Sequence, residues 1–284
     1  MVSGGAEGIG FSIAHAMGLQ GMNVVIGDID TKQLAVAEQK LKDADIPVLA
    51  LTMDVTEPSQ WQTAAQKAIE QFGKIHMLVN NAGVASAPGP IEATNQQDWN
   101  WVIDVNLKGV LNGAEAIIPH IKAHSEGGWM INVASMAGMI GVPYAGAYTA
   151  TKVAVVGMSE SWHFELAKHN IHVSVLCPEF VKTRIHLSGR NRHEHHKSDH
   201  VEAKVSEASP NNAAQALVEN GIDVELVGRR VVEALDIGEV YIFTHPSQRA
   251  TVQKRFKAID EAFERAEKSP ILDGVKDSGD ISFV

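Results

Sequence analysis

The chain has 284 residues, 45% of them hydrophobic and 20% charged, so it is long enough to bury one large core in a single domain. Its formal net charge of -10 argues against nucleic acid as the main partner, because phosphate binding requires clustered lysine and arginine. The single cysteine excludes an intramolecular disulfide framework, and without a secretory leader or an apolar run of roughly 20 residues we expect a cytoplasmic chain that does not bind membranes.

Short apolar runs alternate along the chain with helix-length amphipathic segments. The apolar runs predict strands over 22–27, 47–52, 77–80, 129–133, 171–177 and 240–244. The segments between them predict helices over 8–20, 31–43, 58–72, 107–125, 147–169 and 224–235. Runs that are apolar throughout are typical of strands buried on both faces, and helical spacers supply the crossovers of parallel pairing. The sequence therefore predicts an α/β fold with a doubly wound parallel sheet of the Rossmann type.

Three regions depart from this alternation. Only three residues precede Gly4, so the first strand is apparently truncated and we expect an upstream segment to be missing. Residues 184–212 are polar, rich in histidine and poorly periodic, which predicts a mobile lid over a substrate site. We place the main domain, lid included, at 1–248 and a C-terminal amphipathic helix with a tail at 249–284.

A glycine-rich turn opens the chain. Its candidate cofactor-binding residues are Ser3, Gly4, Gly8, Ile9 and Gly10. Glycines allow the backbone to turn tightly and approach a pyrophosphate, while the N-terminus of the following helix presents free N–H groups to the anion. A plain strand-to-helix turn would explain the same run, so the wider context has to decide.

That context is Asp28, at the end of the second predicted strand. It lies 18 positions after Gly10, close to the roughly 20-residue offset at which an acid binds the adenosine ribose. A carboxylate there repels a 2′-phosphate, Glu7 adds a second negative charge, and residues 1–29 contain no lysine or arginine. Asp28 could also cap a helix. The matched offset favours a dinucleotide site, and the charges favour NAD over NADP.

Tyr148 and Lys152 give the clearest chemical signal. Four positions apart on a helix, the phenol and the ammonium share one face. A free phenol has a pKa of about 10, and a nearby cation favours the phenolate, so we expect Lys152 to lower the pKa of Tyr148. Ser135, 13 residues before Tyr148, can hydrogen-bond a substrate oxygen. Taken singly, these are also an aromatic ring packed under a lysine and a turn serine.

Together the motifs resemble the classical short-chain dehydrogenase/reductase family over about residues 3–244. The family's Thr-Gly-x-x-x-Gly-x-Gly pattern is matched from Ser3, which replaces threonine, and its Asn-Asn-Ala-Gly motif is matched at 80–83. The resemblance implies further cofactor-binding residues at Asp54, Val55, Asn81, Ala82, Gly83, Tyr148, Lys152, Pro178, Val181 and Thr183. It also implies a homodimer or homotetramer, assembled through the helices predicted at 107–125 and 147–169.

The resemblance further implies a catalytic group of Asn106, Ser135, Tyr148 and Lys152. Tyr148 would exchange a proton with the substrate oxygen while hydride moves between the carbon and the nicotinamide, and Ser135 would steady that oxygen. Lys152 would hold the nicotinamide ribose, and Asn106 would hold a water that links Lys152 to solvent. Taken alone, Asn106 is equally compatible with a helix cap.

The residues after the predicted strand 171–177 depart from the family at one position. Glu179 stands where the family has glycine, and it either faces solvent or contacts the substrate. Apolar side chains in the flanking loops favour a bulky or aromatic secondary alcohol or ketone, although packing under the lid explains them as well. The expected substrate contacts are Ser135, Met136, Tyr148, Glu179 and Phe180. The chain is also loosely similar to bacterial aryl-alcohol C-alpha dehydrogenases.

Two other interpretations compete with this one. The histidines of the lid, at positions 186, 193, 195, 196 and 200, could hold structural zinc, but they lack a fixed ligand spacing and we expect no metal. The main functional alternative is a regulatory protein of the same fold that binds NAD without turnover. Relatives that carry out enoyl reduction or epimerisation usually alter the spacing of Ser135, Tyr148 and Lys152.

Overall fold

The computed structural model describes residues 1–85, 88–192 and 210–275, and in these residues seven strands form one parallel sheet. The strands are β1 (Val2–Ser3), β2 (Val24–Asp28), β3 (Val48–Thr52), β4 (Met77–Asn80), β5 (Gly128–Val133), β6 (Ile171–Cys177) and β7 (Tyr241–Phe243). Their order across the sheet is β3-β2-β1-β4-β5-β6-β7. The order reverses at β1, where one half of the chain winds towards β3 and the other towards β7.

The first strand is short, as predicted, and lies in the middle of the sheet. Val2 pairs with Ile26 on one side and with Val79 on the other. The Met1 carbonyl also accepts a hydrogen bond from Val79 N at 2.8 Å. The two residues of β1 therefore suffice to lead the chain into the glycine turn between β2 and β4.

Helices of the first compact unit cover both faces of the sheet. They are α1 (Gly8–Leu19), α2 (Thr31–Asp43), α3 (Pro58–Phe72), α4 (Gln96–Ile103), α5 (Gly109–His124), α6 (Gly146–Ala167), α7 (Pro210–Glu219) and α8 (Val224–Asp236). A further helix, α9 (Arg249–Glu267), follows β7 in the chain. The alternation of side chains along β2 shows the two faces: Ile26 packs in a core with α1, α2 and α8, whereas Val25 packs in a core with α3, α5 and α6. This arrangement confirms the doubly wound sheet of the Rossmann type.

The structure differs from the predicted helices at two places. The helix expected over 107–125 is preceded by α4 and by a π-helix, Asp104–Lys108. Asn95 caps α4 by accepting a hydrogen bond from Asp98 N, a local signal that the polar composition of the segment hides. In the predicted lid, Ile185–Asn191 form a 3-10 helix and Pro210 begins α7, while residues 193–209 lie outside the described part.

The chain divides into two compact units, Met1–Thr244 and His245–Val284. The second unit contains α9, none of whose residues is buried. Within the described residues, no helix combines the length and the apolar character needed to cross a membrane.

Candidate active site

The predicted site residues gather at one edge of the sheet because parallel strands end on the same side. The glycine turn follows β1, Asp28 ends β2, Asn81 follows β4, Ser135 follows β5 and Pro178 follows β6. This edge also receives the N-terminus of α1 and the first turns of α6. A cleft for a dinucleotide and its substrate is expected at this point of the fold.

The glycine turn leaves room for an anion at the start of α1. Gly4 and Gly8 have φ of 61° and 57°, a conformation that favours glycine. A Cβ on Gly10 would lie 2.2 Å from the Gly4 carbonyl oxygen, so this position tolerates no side chain. Helix α1 has no side-chain cap and no acidic residue in its first turn, so its N–H groups are open to a phosphate. The turn therefore fits a pyrophosphate.

Asn81 ties this turn to the end of β4. Its Nδ2 donates to the Ser3 and Gly4 carbonyl oxygens, both at 2.9 Å. In return, the Ser3 hydroxyl accepts from Asn81 N at 3.0 Å and from Ala82 N at 3.2 Å. Serine in place of threonine at position 3 therefore keeps the hydroxyl that this junction uses. Gly83 lies close to both Asn106 and Lys152.

Asp28 is held beside the glycine turn and does not cap a helix. Its carboxylate accepts hydrogen bonds from Ala6 N at 3.1 Å and from Asp30 N at 3.0 Å. The cap of α2 is instead Asp30, which accepts from Gln33 N. Burial raises the pKa of Asp28, the two backbone hydrogen bonds oppose that rise, and the charges of Glu7 and Asp30 add to it. The carboxylate therefore sits at the expected ribose position, among further acids.

The segment 184–192 of the predicted lid brings two cations to this region that sequence reasoning missed. Arg184 Nε donates to the Glu7 carboxylate at 2.6 Å, and Arg190 forms a second ion pair with Glu7. Arg190 Nε also lies 3.9 Å from the Asp30 carboxylate. The absence of basic residues from positions 1–29 is thus compensated by residues more than 150 positions away in the chain. No local spacing signals such a long-range pairing.

Tyr148 and Lys152 lie on one face of α6, next to Ser135. Lys152 is buried, its Nζ lies 5.5 Å from the centroid of the Tyr148 ring, and it donates to the Val133 carbonyl oxygen at 2.9 Å. Burial lowers the pKa of Lys152 to about 8. The structure thus brings the phenol, the ammonium and the serine hydroxyl together as predicted.

The expected lowering of the Tyr148 pKa is wrong. Burial raises this pKa above its usual value, and the influence that opposes the rise is a hydrogen bond with the Ser135 side chain. The phenol is therefore kept in its protonated form at neutral pH.

Asn106 lies in the π-helix and is fully buried, so it is not a helix cap. Its Oδ1 accepts from Val84 N at 2.8 Å and its Nδ2 donates to the Val84 carbonyl oxygen at 2.9 Å. A longer contact of 3.5 Å joins Nδ2 to the Thr151 hydroxyl, one residue before Lys152. The side chain fixes the segment after β4 against α6, and its role in holding a water stays a prediction.

The segment after β6 closes the site from the other side. The Pro178 carbonyl oxygen accepts from Met136 N at 2.8 Å and from the Ser135 hydroxyl at 3.4 Å. Val181 is buried and forms a bridge with Ile222, and the Thr183 side chain lies against Gly8. Met136 is buried, while Glu179 and Phe180 are partly exposed between Pro178 and Val181. Their contact with a substrate stays a prediction.

The remaining predicted cofactor residues have mainly structural contacts. Asp54 accepts hydrogen bonds from the Thr56 N–H and hydroxyl, both at 2.8 Å. Val55 is buried and its side chain packs against Gly109. Ile9 is partly buried against the core that contains α1. For these three residues, contact with the cofactor stays a prediction.

The sequence and the geometry now lead to one family. The family model described as short chain dehydrogenase matches residues 1–194, which is more than half of the chain. The chain belongs to the short-chain dehydrogenase family. It is therefore an oxidoreductase of the dehydrogenase/reductase type, as the sequence motifs predict.

Two named relatives match nearly the whole length of this protein. A "CLA biosynthesis dehydrogenase/reductase" of Lactiplantibacillus plantarum is 32% identical over 281 residues, which cover 96% of each chain. A "C alpha-dehydrogenase" of Sphingobium sp. is 30% identical over 270 residues, which cover 95% of this chain and 87% of the relative. The second match confirms the loose similarity to C-alpha dehydrogenases.

A solved structure is similar as well. A short chain dehydrogenase/reductase from Burkholderia phymatum, in complex with NAD, superposes with a TM-score of 0.87 and 33% sequence identity. The match covers 92% of this chain and 93% of that protein. The fold of this short-chain dehydrogenase is thus shared over almost its full length with a protein that binds NAD.

A buried network of hydrogen-bonded side chains joins β4, β5 and α6, and the sequence did not predict it. Asn80 Nδ2 donates to Asn132 Oδ1 at 2.9 Å, and Asn132 Nδ2 donates to the Ser159 hydroxyl at 2.9 Å. This hydroxyl in turn donates to the Val155 carbonyl oxygen at 2.7 Å. This network links β4, β5 and α6 in a fixed register, which holds the strand ends that carry the site.

Two groups of histidines bear on whether this protein binds a metal ion: those of the predicted lid and a second group that the structure brings together. In the lid, only His186 belongs to the described residues, and the other four histidines lie outside them. Elsewhere, His76, His124 and Glu126 have ligand atoms within 4.8 Å of one another, at the opposite edge of the sheet. Both ring nitrogens of His124 already have backbone partners, and Lys74 pairs with Glu126. We therefore assign no metal to this group.

Proposed function

We propose that this short-chain dehydrogenase transfers hydride between NAD and a secondary alcohol or ketone, with Tyr148 as the acid and base. The observation that carries the proposal is the buried Lys152 ammonium, which lies 5.5 Å from the centroid of the Tyr148 ring on the face of α6 next to Ser135. These groups lie at the strand ends that also carry the uncapped start of α1 and the carboxylate of Asp28. A proton-exchanging group thus stands next to a fitting dinucleotide cleft.

The cofactor supplies hydride chemistry when it is bound, and named residues would hold it. The N–H groups at the start of α1 would bind the pyrophosphate, and Asp28 would accept hydrogen bonds from the adenosine ribose. Lys152 would bind the nicotinamide ribose, the role that the family resemblance implies. The NAD complex of the similar Burkholderia phymatum protein supports this choice of cofactor.

The balance of charge favours NAD over NADP. Three acids, Glu7, Asp28 and Asp30, surround the expected ribose position. The two arginines of the lid pair with Glu7, so their charge is already shared. A 2′-phosphate would meet net negative charge there and would be repelled.

Side chains of the protein carry out the proton transfer that accompanies hydride transfer. Ser135 orients the substrate oxygen towards the Tyr148 hydroxyl, which donates a proton in reduction and receives one in oxidation. The raised pKa of Tyr148 keeps the proton on the phenol at neutral pH, which fits proton donation in reduction. Lys152, with a pKa of about 8, exchanges protons near neutral pH and passes them towards Asn106.

The proposed substrate is bulky and apolar or aromatic. Met136 and Met139 are buried in the turn after β5, whereas Phe180 and Leu187, in the segment after β6, are partly exposed and exposed, respectively. These apolar side chains, near the strand ends that carry the proposed catalytic group, support a bulky apolar substrate. The similar C alpha-dehydrogenase is named for dehydrogenation at an α carbon. We include a cytoplasmic homodimer or homotetramer in the proposal, which size-exclusion chromatography with light scattering would test.

The experiment is an NADH absorbance assay of the purified full chain with NAD and a panel of secondary aryl alcohols. We expect turnover by the wild type and a loss on the order of 10³-fold or more in Tyr148→Phe, with NAD binding retained. Tyr241→Phe is the matched control, because that hydroxyl binds Glu160 away from the cleft. NAD binding without turnover of any alcohol or ketone would overturn the proposal in favour of the regulatory alternative.

A further inference from the structure

Arg192 ends the described part of the lid with its side chain packed against α4. The side chain is 15% exposed, and its guanidinium carbon lies 4.8 Å from the centroid of the Trp101 ring. Nη1 pairs with the Asp98 carboxylate at 2.5 Å. Asp98 is itself held by Asn95, whose side chain both donates to its carboxylate and accepts from its backbone N–H. The guanidinium is thus fixed in place on one edge and one face.

The other edge of the same guanidinium lacks a partner. Nε and Nη2 of Arg192 are buried and make no hydrogen bond to any residue that the structure describes. These two nitrogens form one side of the planar fork, and their parallel N–H groups match the two oxygens of a carboxylate. Buried donors without acceptors are rare in native proteins because they lose their hydration without compensation. The free edge therefore has the chemistry of a site for a planar anion.

Trp101 connects Arg192 to the start of α6, which carries Tyr148. Trp101, under the guanidinium, packs with Val102 and Ala147, and Ala147 directly precedes Tyr148. The same cluster includes Val84, whose backbone is held by Asn106. The lid also touches this segment through Ser188, whose hydroxyl accepts from Ala85 N at 3.3 Å. A ligand on Arg192 would thus lie against the cluster of Trp101 and Ala147 that directly precedes Tyr148.

We propose that Arg192 is a specificity-determining residue that binds a carboxylate of the substrate, so that the substrate is a hydroxy or keto acid with an apolar body. This inference rests on the proposed function. Asp98 shares the charge of the guanidinium, which favours a singly charged carboxylate over a doubly charged phosphate. Trp101 fixes the plane of the fork, and the apolar surface of its cluster suits the hydrophobic part of such a molecule.

The test compares matched substrates that differ only in charge. Each pair is a secondary aryl alcohol with a free carboxylate and its primary amide. In the wild type we expect kcat/KM for the acid to exceed that for the amide by on the order of 100-fold, mainly through KM. Arg192→Met removes this preference because turnover of the acid falls far more than turnover of the amide. Arg192→Lys keeps the charge without the fork and retains on the order of one tenth of the preference.

Two controls separate the possible failures. Arg229→Met removes an exposed arginine of α8 and leaves the preference as it is. A calorimetric titration with benzoate and benzamide, in the presence of NAD, reports carboxylate binding without requiring turnover. If benzoate binds to the wild type with a measurable heat of binding but does not bind to Arg192→Met, the result supports the carboxylate site even if no alcohol is oxidised.

Two outcomes overturn the inference while leaving the proposed function intact. One is equal turnover of acid and amide by the wild type. The other is an equal loss for both substrates in Arg192→Met, which indicates a structural role of the lid contact. Thermal unfolding of both Arg192 variants shows whether the lid contact also contributes to stability.

Discussion

The proposed catalytic end and the proposed adenosine end of the site have opposite surroundings. At the catalytic end, Lys152 is buried and its ammonium faces an aromatic ring and the Val133 carbonyl oxygen. At the adenosine end, Asp28 accepts two backbone hydrogen bonds close to the ion pairs between Glu7 and the lid. Burial dominates the pKa of Lys152. At Asp28, two backbone hydrogen bonds oppose the effect of burial on the pKa.

The difference indicates what each end is suited to do. A buried and nearly uncharged environment brings the pKa of a lysine close to neutrality, which serves proton exchange. A ring of donors and paired charges keeps a carboxylate oriented, which serves binding. Substitutions at the catalytic end should therefore change the rate, and those at the adenosine end should change cofactor affinity and choice.

The largest effect is expected from Lys152→Met. Loss of the ammonium removes a proton-exchanging group and a partner of the ribose, so kcat should fall on the order of 10³-fold in the NADH assay. Lys168→Met, at the exposed end of α6, is the matched control. A variant that keeps more than about one tenth of the wild-type kcat would contradict the assignment of Lys152 to the catalytic group.

Asp28→Ala should shift cofactor choice. Removing the carboxylate takes away two ribose hydrogen bonds and the repulsion of a 2′-phosphate, so the ratio of kcat/KM for NAD to that for NADP should fall on the order of 30-fold. The rate at saturating NAD should change little. Asp43→Ala, exposed at the end of α2, provides the control. An unchanged ratio would show that the adenosine end does not select the cofactor through Asp28.

The third prediction concerns stability and the burial of Lys152. Its pKa is 10.5 in an unfolded chain and about 8 in the folded protein, so between these values the unfolded state binds more protons. Stability from this group therefore rises with pH through that window and is lost as the pH falls towards 8. The free energy of unfolding of the wild type, relative to Lys152→Met, should rise by about 1 kcal/mol per pH unit.

Urea unfolding of both proteins between pH 8 and 9 measures this difference, and the opposite contribution of Cys177 cancels because both proteins carry that thiol. Burial raises the pKa of Cys177 to about 12, so above its usual value the unfolded thiol loses its proton first and stability falls. A pH-independent difference between the two proteins would mean that Lys152 is not desolvated in the folded state.

The smallest effect is expected from Arg190→Gln at the adenosine end. The pair with Glu7 is partly exposed on both sides, and such pairs contribute little in water. The KM for NAD should change by less than about 5-fold, and the midpoint of thermal unfolding should stay nearly constant. A loss of NAD binding beyond that range would show that the lid, through Arg190, completes the cofactor site.

Local spacing explains what the sequence could predict. The strands, the Tyr148–Lys152 pair on one helical face and Asp28 at a strand end all follow from residues close together in the chain. The ion pairs of Glu7 and the edge of Arg192 could not be predicted, because each joins segments far apart in sequence. The direction of the pKa of Tyr148 was missed for the same reason, since burial is a property of the folded chain.

The π-helix of residues 104–108 has a consequence for how this site can vary. A π turn accommodates one residue more than an α turn, so it fixes the position of Asn106 through the length of the helix as much as through its chemistry. Deleting one residue there would restore regular α geometry and leave helix α4, with Trp101, facing nearly the same way, because the π turn already absorbs the extra residue. The bulge that sets the place of Asn106 would be lost instead. Single-residue deletions in this segment should therefore impair the site more than they disturb the packing of α4.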